Sequence, residues 1–391
     1  MRTFSKYLFL FTVLAVLLNS CSIEETKAEL NQNTAFVDEY KISQAEALEI
    51  AENFFGVAQQ VKSTQFDIDY ILSESMSLGT VSTVRDTVAY VMNMIDDGGF
   101  IIVSADNRCY PILAFSETGN FEYEAVQDDM VYANFVSLID DYVASIDEID
   151  AVPPSGEVVS YEEIDITGPM LYTKWSQGEP YNKYVDEYYP NCPVGCVAVA
   201  AGQIMVYCKP TLEDYHGMTF HLASINKAFE RSLRPDICYP IGPPFPSYTY
   251  DVAIDYSAKL LYYIGQDVDM SYSPGGSGAS SSDAYLLFKN LGFVLEEDGL
   301  TSYSGLDIAS SIIRGNIVYM RGSVVNGYAG HAWVADGCGT IHMGYRTHVF
   351  LHCNWGWGGR NDGYYTSDVF SAGGYSFSGM QYFSVKNENQ I

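Results

Sequence analysis

The chain has 391 residues, 48% of them hydrophobic and 14% aromatic, with 32 tyrosines. That length suits two domains and that composition supports a sizeable core, which excludes wholesale disorder. A formal net charge of −29 argues against nucleic acid or an anionic lipid surface as partner. The charge is uneven: residues 1–170 carry 29 acidic against 7 basic side chains, and residues 171–391 carry 20 against 13, a step that suggests two units.

The N-terminus has the layout of a signal peptide over residues 1–21: Arg2 and Lys6, an apolar run from Tyr7 to Leu18, then Leu18-Asn19-Ser20-Cys21. The run is shorter than the roughly 20 residues a membrane-spanning helix needs. Its ending resembles a bacterial lipobox, in which Cys21 becomes the lipid-bearing first residue, and Glu24-Glu25 resembles a surface-export signal of lipoproteins. A plain secretory signal is the alternative. Both readings take the chain out of the cytoplasm, and the first makes it a cell-surface or outer-membrane lipoprotein whose only membrane contact is the lipid on Cys21. The eight cysteines (21, 109, 192, 196, 208, 238, 338 and 353) are irregularly spaced over a long chain, which excludes a small disulfide-stapled fold. No Cys-x-x-Cys pair marks a zinc site, and the expectation is chemistry with no metal or cofactor, under reducing conditions.

After a polar spacer (22–41), Ser43-Gln44-Ala45-Glu46 forms a capping box, with Ala47, Leu48, Ala51, Phe54 and Phe55 at helical spacing and Gly56 placed to end the helix. Val88–Ile95 and Phe100–Ser104 read as strands joined by a hairpin at Asp96-Asp97-Gly98-Gly99. Met130–Ile146 repeats apolar residues at helical spacing. The first unit is thus a small α+β domain over 42–146. Residues 147–168 turn acidic and loop-like around Pro153-Pro154-Ser155-Gly156, the kind of exposed segment that proteases nick. The second unit, 169–391, is rich in Gly, Tyr and Trp, with strand-like runs at Ile317–Met320, Ala332–Ala335 and Val349–His352.

From Cys196 to Tyr207 the one strongly polar side chain is Gln203, so the helix expected there is buried on nearly all faces. Cys196 falls in its first turn, where the helix dipole favours a thiolate; a small buried hydrophobe is the competing reading. His331 follows Gly330 and opens an apolar strand, His331-Ala332-Trp333-Val334-Ala335, placed to face a cleft or to sit in the core. Asn354-Trp355 offers an amide that accepts an imidazole N–H and a ring that shields that bond, or simply a packed turn. Gln177, in the segment before the cysteine, offers an amide donor to a developing oxyanion, or is a surface residue. In chain order these make Gln, Cys at a helix start, His on a strand, then Asn-Trp, the order of papain-like thiol peptidases.

The same residues resemble the streptopain family of secreted bacterial cysteine peptidases. The likeness rests on Trp175-Ser176-Gln177-Gly178-Glu179-Pro180-Tyr181-Asn182, Gly195-Cys196-Val197-Ala198, Gln203-Ile204-Met205-x-Tyr207, Gly330-His331-Ala332-x-Val334 and Asn354-Trp355-Gly356-Trp357-Gly358-Gly359-x-x-Asp362-Gly363, and covers the chain from about Met170 onward. Ile42-Ser43-x-Ala45-x-Ala47 and Gly98 to Asp106 resemble the family's inhibitory propeptide. The resemblance implies an α+β chain: a prodomain, then a papain-like domain in which a buried helix carries the cysteine and an antiparallel sheet carries His331 and Asn354. It implies Cys196 as nucleophile, His331 as base, Gln177 as oxyanion donor and Asn354 as the ring's orienting partner beside Trp355. Ser277, Gly278 and Gly330 are implied to line the substrate cleft. Protein or peptide substrates follow, with the chain's own propeptide as inhibitor. Three departures stand out: Cys192 four residues before the nucleophile, Gly202 where a small alanine is usual, and a long segment from Thr340 to His348. A different Cys–His enzyme such as an amidase or transglutaminase is the first rival, against which Asn354-Trp355 argues. A non-catalytic surface inhibitor or adhesin is the second.

Overall fold

In the computed structural model Ser43 and Glu46 close the capping box in both directions. The Ser43 N–H donates to the Glu46 carboxylate at 2.7 Å and the Glu46 N–H to Ser43 Oγ at 3.3 Å. They start helix α1 (Gln44–Ala58), which continues two residues past Gly56 rather than stopping there. Nothing crowds Gly56, so the chain has no steric reason to turn. The structure describes residues 41–58, 66–72, 87–122, 164–237, 242, 244–324, 330–343, 346–371 and 377–388. The signal segment with Cys21, the spacer through residue 40, the helix expected over Met130–Ile146 and the linker through residue 163 lie outside the described residues.

Four strands accompany α1: β1 (Phe66–Leu72), β2 (Ala89–Met94), β3 (Phe100–Ser104) and β4 (Ile112–Ser116). The hairpin read at Asp96 to Gly99 joins β2 to β3 in register from Ala89↔Ser104 to Asn93↔Phe100. β5 (Ile164–Thr167) follows, then α2 (Lys183–Asp186), α3 (Cys196–Cys208), β6 (Leu212–Tyr215), β7 (Met218–Phe220), α4 (Leu222–Leu233), α5 (Tyr250–Asp267) and α6 (Ser281–Asn290). The chain closes with β8 (Thr301–Ser302), α7 (Gly305–Ile313), β9 (Ile317–Val324), β10 (Gly330–Met343), β11 (Arg346–Asn354), β12 (Gly363–Thr366), α8 (Ser367–Ser371) and β13 (Phe377–Val385).

Among the described residues eleven strands share one sheet, in the order β1-β2-β3-β4-β12-β11-β10-β9-β13-β8 with β5 also on β10. The N-terminal unit therefore extends the sheet of the second unit. The seam is short: Phe115 pairs with Tyr364 and Ala114 with Tyr365. Across it the Phe115 and Tyr364 rings stack 5.0 Å apart, and one core runs from Phe54, Phe55 and Ile112 into Ile341 and Phe350. Each such buried side chain contributes roughly 1.5–3 kcal/mol.

The segment that looked long, Thr340 to His348, is the far end of a hairpin, with Met343 opposite Arg346. Its extra length carries Ile341 into the N-terminal unit's core and sets His348 against Tyr110, rings 3.9 Å apart. The stretch read as the end of the linker is ordered too: β5 pairs with β10 from Cys338↔Thr167 to Ile341↔Ile164.

α3 is buried along its length, as an all-round apolar helix must be. It packs on β9, β10, α4 and α5. Gly202 is glycine for a steric reason: a Cβ there would lie 2.7 Å from Leu261 Cδ2 and 2.9 Å from Trp175 Cζ3.

Candidate active site

Cys196 is the first residue of α3 and is half-buried. Gly195 before it has φ +89°, and a Cβ there would lie 2.7 Å from the Met270 thioether and 3.1 Å from the Ser277 carbonyl. Only glycine meets both demands. The approach brings the hairpin 270–278, closed by hydrogen bonds between Ser271 and Gly278, against the start of the helix. Ser277 and Gly278 thus stand beside Cys196, Ser277 buried and Gly278 exposed.

Gln177 is brought to the same place by its backbone. The Val194 N–H donates to the Gln177 carbonyl at 2.9 Å, two residues before the cysteine. The segment carrying it is anchored below by Gln203, which is fully buried. Gln203 Oε1 accepts the Trp175 N–H at 3.3 Å and Gln203 Nε2 donates to Asn354 Oδ1 at 3.0 Å. Asn354 Nδ2 donates to the Thr173 carbonyl at 2.9 Å, and Asn354 Oδ1 also accepts the Gly356 N–H at 3.2 Å. Trp355 N–H donates to Asp362 Oδ1 and Gly358 N–H to the Trp175 carbonyl, both at 3.0 Å. Four separated stretches of sequence thus meet against α3.

His331 lies on β10, with Gly330 opposite Ser323 of β9. Alternation along the strand sends Ala332 and Val334 into the core around α3 and Trp333 and Ala335 into the opposite core with Trp355 and Trp357. The imidazole shares the face of Trp333. It is 3% exposed and lies nearly parallel to three indoles, 5.1 Å from Trp357, 5.9 Å from Trp333 and 6.3 Å from Trp355. Its Nε2–H donates to the Trp355 main-chain carbonyl at 2.9 Å. A carbonyl can only accept, so the proton sits on Nε2. The amide expected to orient the ring, Asn354, is one residue away and turned to Gln203 and Thr173.

A charged layer underlies this site. Asp336 is the extra residue of a β-bulge between Ala335 and Gly337, which re-aims its side chain. Its fully buried carboxylate accepts His352 Nδ1–H at 2.6 Å and the Leu171 N–H at 2.9 Å. Burial opposes a charge on His352, yet the Asp336 carboxylate prevails and holds its pKa above the usual imidazole value. Burial pushes the Asp362 carboxyl up to about 7, against the pull of His352 and the Trp355 N–H. Burial likewise raises the thiols of Cys208, Cys338 and Cys353, Cys338 to about 11. These three are poor nucleophiles.

Asp336, His352 and Asp362 were missed as partners of the site by sequence reasoning, although an Asp in an apolar strand and a His two residues before Asn354 were visible. Gln203 was visible as the one polar side chain of an apolar helix. A thiol at a helix start, an imidazole and two amides are the equipment of acyl transfer; hydrogen bonds tie the segments of Gln177 and Asn354 to α3 and hold the imidazole on the Trp355 carbonyl.

The peptidase C10 family model matches residues 175–365, and the Spi protease inhibitor model matches residues 39–143. Streptopain of Streptococcus pyogenes is 27% identical over 369 residues, covering 87% of this chain and 88% of its own length. Thiol protease/hemagglutinin PrtT of Porphyromonas gingivalis is 24% identical over 374 residues, covering 85% of this chain and 39% of its own. The solved structure of a prointerpain A fragment from Prevotella intermedia matches the fold with a TM-score of 0.51 at 20% identity, covering 82% of this chain and 98% of that one.

Proposed function

Since the chain belongs to the peptidase C10 family, as a cysteine-type endopeptidase made as a zymogen behind a propeptide of Spi-inhibitor type, we propose that Cys196 is its nucleophile and His331 its base. The Cys196 thiolate attacks the scissile carbonyl, the imidazolium of His331 gives its proton to the leaving amine as the C–N bond breaks, and water then hydrolyses the thioester. The Gln177 amide and a backbone N–H at the start of α3 hold the oxyanion. Asn354 orients the ring and Trp355 screens it. Ser277 and Gly278, on the hairpin pressed against Gly195, and Gly330 beside the base border the cleft. The substrates are proteins or peptides, with a bulky apolar residue preceding the one at which the chain is cut.

The observation that carries this reading is the 2.9 Å bond from Val194 N–H to the Gln177 carbonyl. It ties the Gln177 backbone to Val194, two residues before a cysteine that starts a buried helix, which supports the reading of the Gln177 amide as the oxyanion donor.

The latent state is supported by the contacts of Trp355. The first unit reaches its loop directly: the Glu122 N–H donates to Asn361 Oδ1 at 2.8 Å, and the Asn361 carbonyl accepts Trp355 Nε1–H at 3.1 Å. In the precursor this loop braces the turn whose Trp355 carbonyl accepts the imidazole N–H. The propeptide spans 42–146, the segment from 147 is cut, and the unit from 169 is the peptidase. The chain is exported, with a lipid on Cys21 anchoring it at the cell surface or outer membrane until processing releases the enzyme.

An epoxide inactivator of thiol peptidases, followed by peptide mapping, tests the assignment. One modified cysteine, at 196, is expected, and C196A should accumulate at full length while wild type shortens. Modification of Cys192 instead, or normal shortening of C196A, overturns it.

A further inference from the structure

On β9 the alternation that sends Val318 and Met320 into one core and Ile317 and Tyr319 into the core around α3 puts Arg321 on the α3 side. The register agrees: Arg321 lies opposite Ala332 of β10 on one side and Gln381 of β13 on the other. Along this face Tyr319 and Ala332 are buried while Arg321 and Ser323 are partly exposed, so the core ends and open surface begins at Arg321. Ser323 stands opposite Gly330 and Gly322 opposite His331, so the opening adjoins the base. The hairpin side is close as well. The Tyr319 hydroxyl shares a hydrogen bond of 3.0 Å with Ser281 Oγ, three residues after Gly278. Burial pushes that hydroxyl's pKa up and the Ser281 bond opposes it; the charges that reach it are those of Cys196, which adds to the push, and Arg321, which opposes it. One hydroxyl thus lies within electrostatic range of nucleophile and guanidinium alike.

The guanidinium is held but not neutralised. Its Nη1–H donates to Gln381 Oε1 at 2.7 Å and its Nη2–H to Ser323 Oγ. Both acceptors are uncharged. Among the described residues no carboxylate pairs with Arg321, whereas Arg108, Arg314 and Arg360 reach Asp106, Glu296 and Glu122. A guanidinium carries five N–H donors, so three remain once Gln381 and Ser323 have each taken one. Drawing a charge away from water is unfavourable unless it is paired, and this chain has 49 acidic side chains against 20 basic ones from which to supply a partner. We propose that Arg321 is a specificity-determining residue whose remaining N–H groups take the carboxylate of an acidic side chain at one of the substrate positions before the cut. The inference rests on the reading of Cys196, Ser277, Gly278 and Gly330 as the cleft. The planar fork suits a carboxylate, which accepts two parallel bonds from it, and bound substrate then supplies the counter-ion that the fold does not. A mere strut between β9 and β13 would need the bonds to Gln381 and Ser323 and no charge.

The test uses full-length wild type, R321Q, R321E and C196A, each processed by tagged wild-type enzyme that is then removed, with C196A setting the background. Peptides carry Glu, Gln or Lys in turn at each position before the cut. The readout is the ratio of kcat/KM between peptides within one variant, so that a loss of stability or of active enzyme cancels. Wild type should prefer Glu to Gln at one position by about tenfold or more, the size expected of hydrogen bonds to a charged group, and the preference should shrink as salt rises. R321Q should bring that ratio down to about one, and R321E should turn the preference toward Lys at the same position. Should neither variant fold, the wild-type scan decides. No position at which Glu is preferred to Gln, or a preference indifferent to salt, overturns the inference. An unchanged Glu preference in R321Q gives the recognition to another group and overturns it too, with the peptidase reading intact. Cleavage of no peptide above the C196A background overturns the peptidase reading and the inference with it.

Discussion

His331 and Trp355 are joined by a hydrogen bond of 2.9 Å from the imidazole Nε2–H to the main-chain carbonyl, while the Asn354 amide one residue earlier is held by Gln203 and Thr173. Asn354 is therefore held as a structural residue in the precursor, and its proposed orienting role is a separate matter. Asn354→Ala should show both roles. Losing buried hydrogen bonds that leave partners unsatisfied costs about 1–3 kcal/mol, so the melting temperature should fall by a few degrees. Turnover per titrated thiol in the processed enzyme should fall about 100-fold. A loss of stability with wild-type turnover per active site would leave Asn354 as a packing residue only.

Gly202→Ala tests the contact that Gly202 permits. Alanine gains up to about 1 kcal/mol of helix propensity, which alone predicts a more stable protein. The added methyl, however, meets Leu261 at 2.7 Å and the Trp175 indole at 2.9 Å, both fully buried. Overpacking of that kind typically costs about 1–3 kcal/mol, and it pushes on the residue whose N–H bonds Gln203. A lower melting temperature is expected; a higher one would show that the helix moves freely over Trp175.

Much of this was legible because the physics is local. An unbroken apolar run with one glutamine cannot be a surface helix, and α3 is where the run lies. The hairpin at Asp96 to Gly99 and the strands through Ile317, Ala332 and Val349 follow from turn chemistry and alternation. The side of β10 on which His331 sits was not legible. Trp333 and Val334 are both apolar because both faces of the strand are buried, so the sequence carries no mark of which face meets the cleft. The seam between β4 and β12 was invisible for another reason: strands join through backbone N–H and C=O groups that every residue owns. The bulge at Asp336 had a trace, a carboxylate in an apolar strand, whose partner His352 becomes evident only once β10 and β11 are paired.

β5 restricts the activating cut. Ile164–Thr167 pairs with β10, and just beyond it Met170 N–H and Leu171 N–H donate to the Asp336 carbonyl and carboxylate, both at 2.9 Å. A protease needs an extended, unpaired segment, so cleavage should fall before Ile164 and leave β5 on the mature enzyme. N-terminal sequencing of the processed form should begin upstream of residue 164. A mature chain beginning after Thr167 would mean that β5 peels away during activation.

The carboxyl of Asp362 makes stability depend on pH in a defined direction. Burial pushes it up to about 7, whereas an unfolded aspartate titrates near ~4. Between those values the folded chain holds a proton that the unfolded chain has released, so stability falls as pH rises through the window. His352 acts in the same sense. Burial disfavours its charge, but Asp336 raises its pKa above the usual value. Its contribution is complete below about 6.5 and is lost as pH rises through the folded value. Groups with depressed pKa values do not interfere here. Asp255, at about 2 despite its burial because Lys183 and Tyr184 hydrogen-bond to it, loses its contribution only in acid below about pH 4. Asp362→Asn separates the two groups, since asparagine keeps an acceptor for the Trp355 N–H and carries no charge. Melting temperature measured from about pH 5 to 7.5 should fall in wild type and fall less in D362N. The gap should widen toward pH 7.5 in favour of the variant. Parallel curves would show that Asp362 is already ionised in the folded protein across this range, and that burial does not hold its proton.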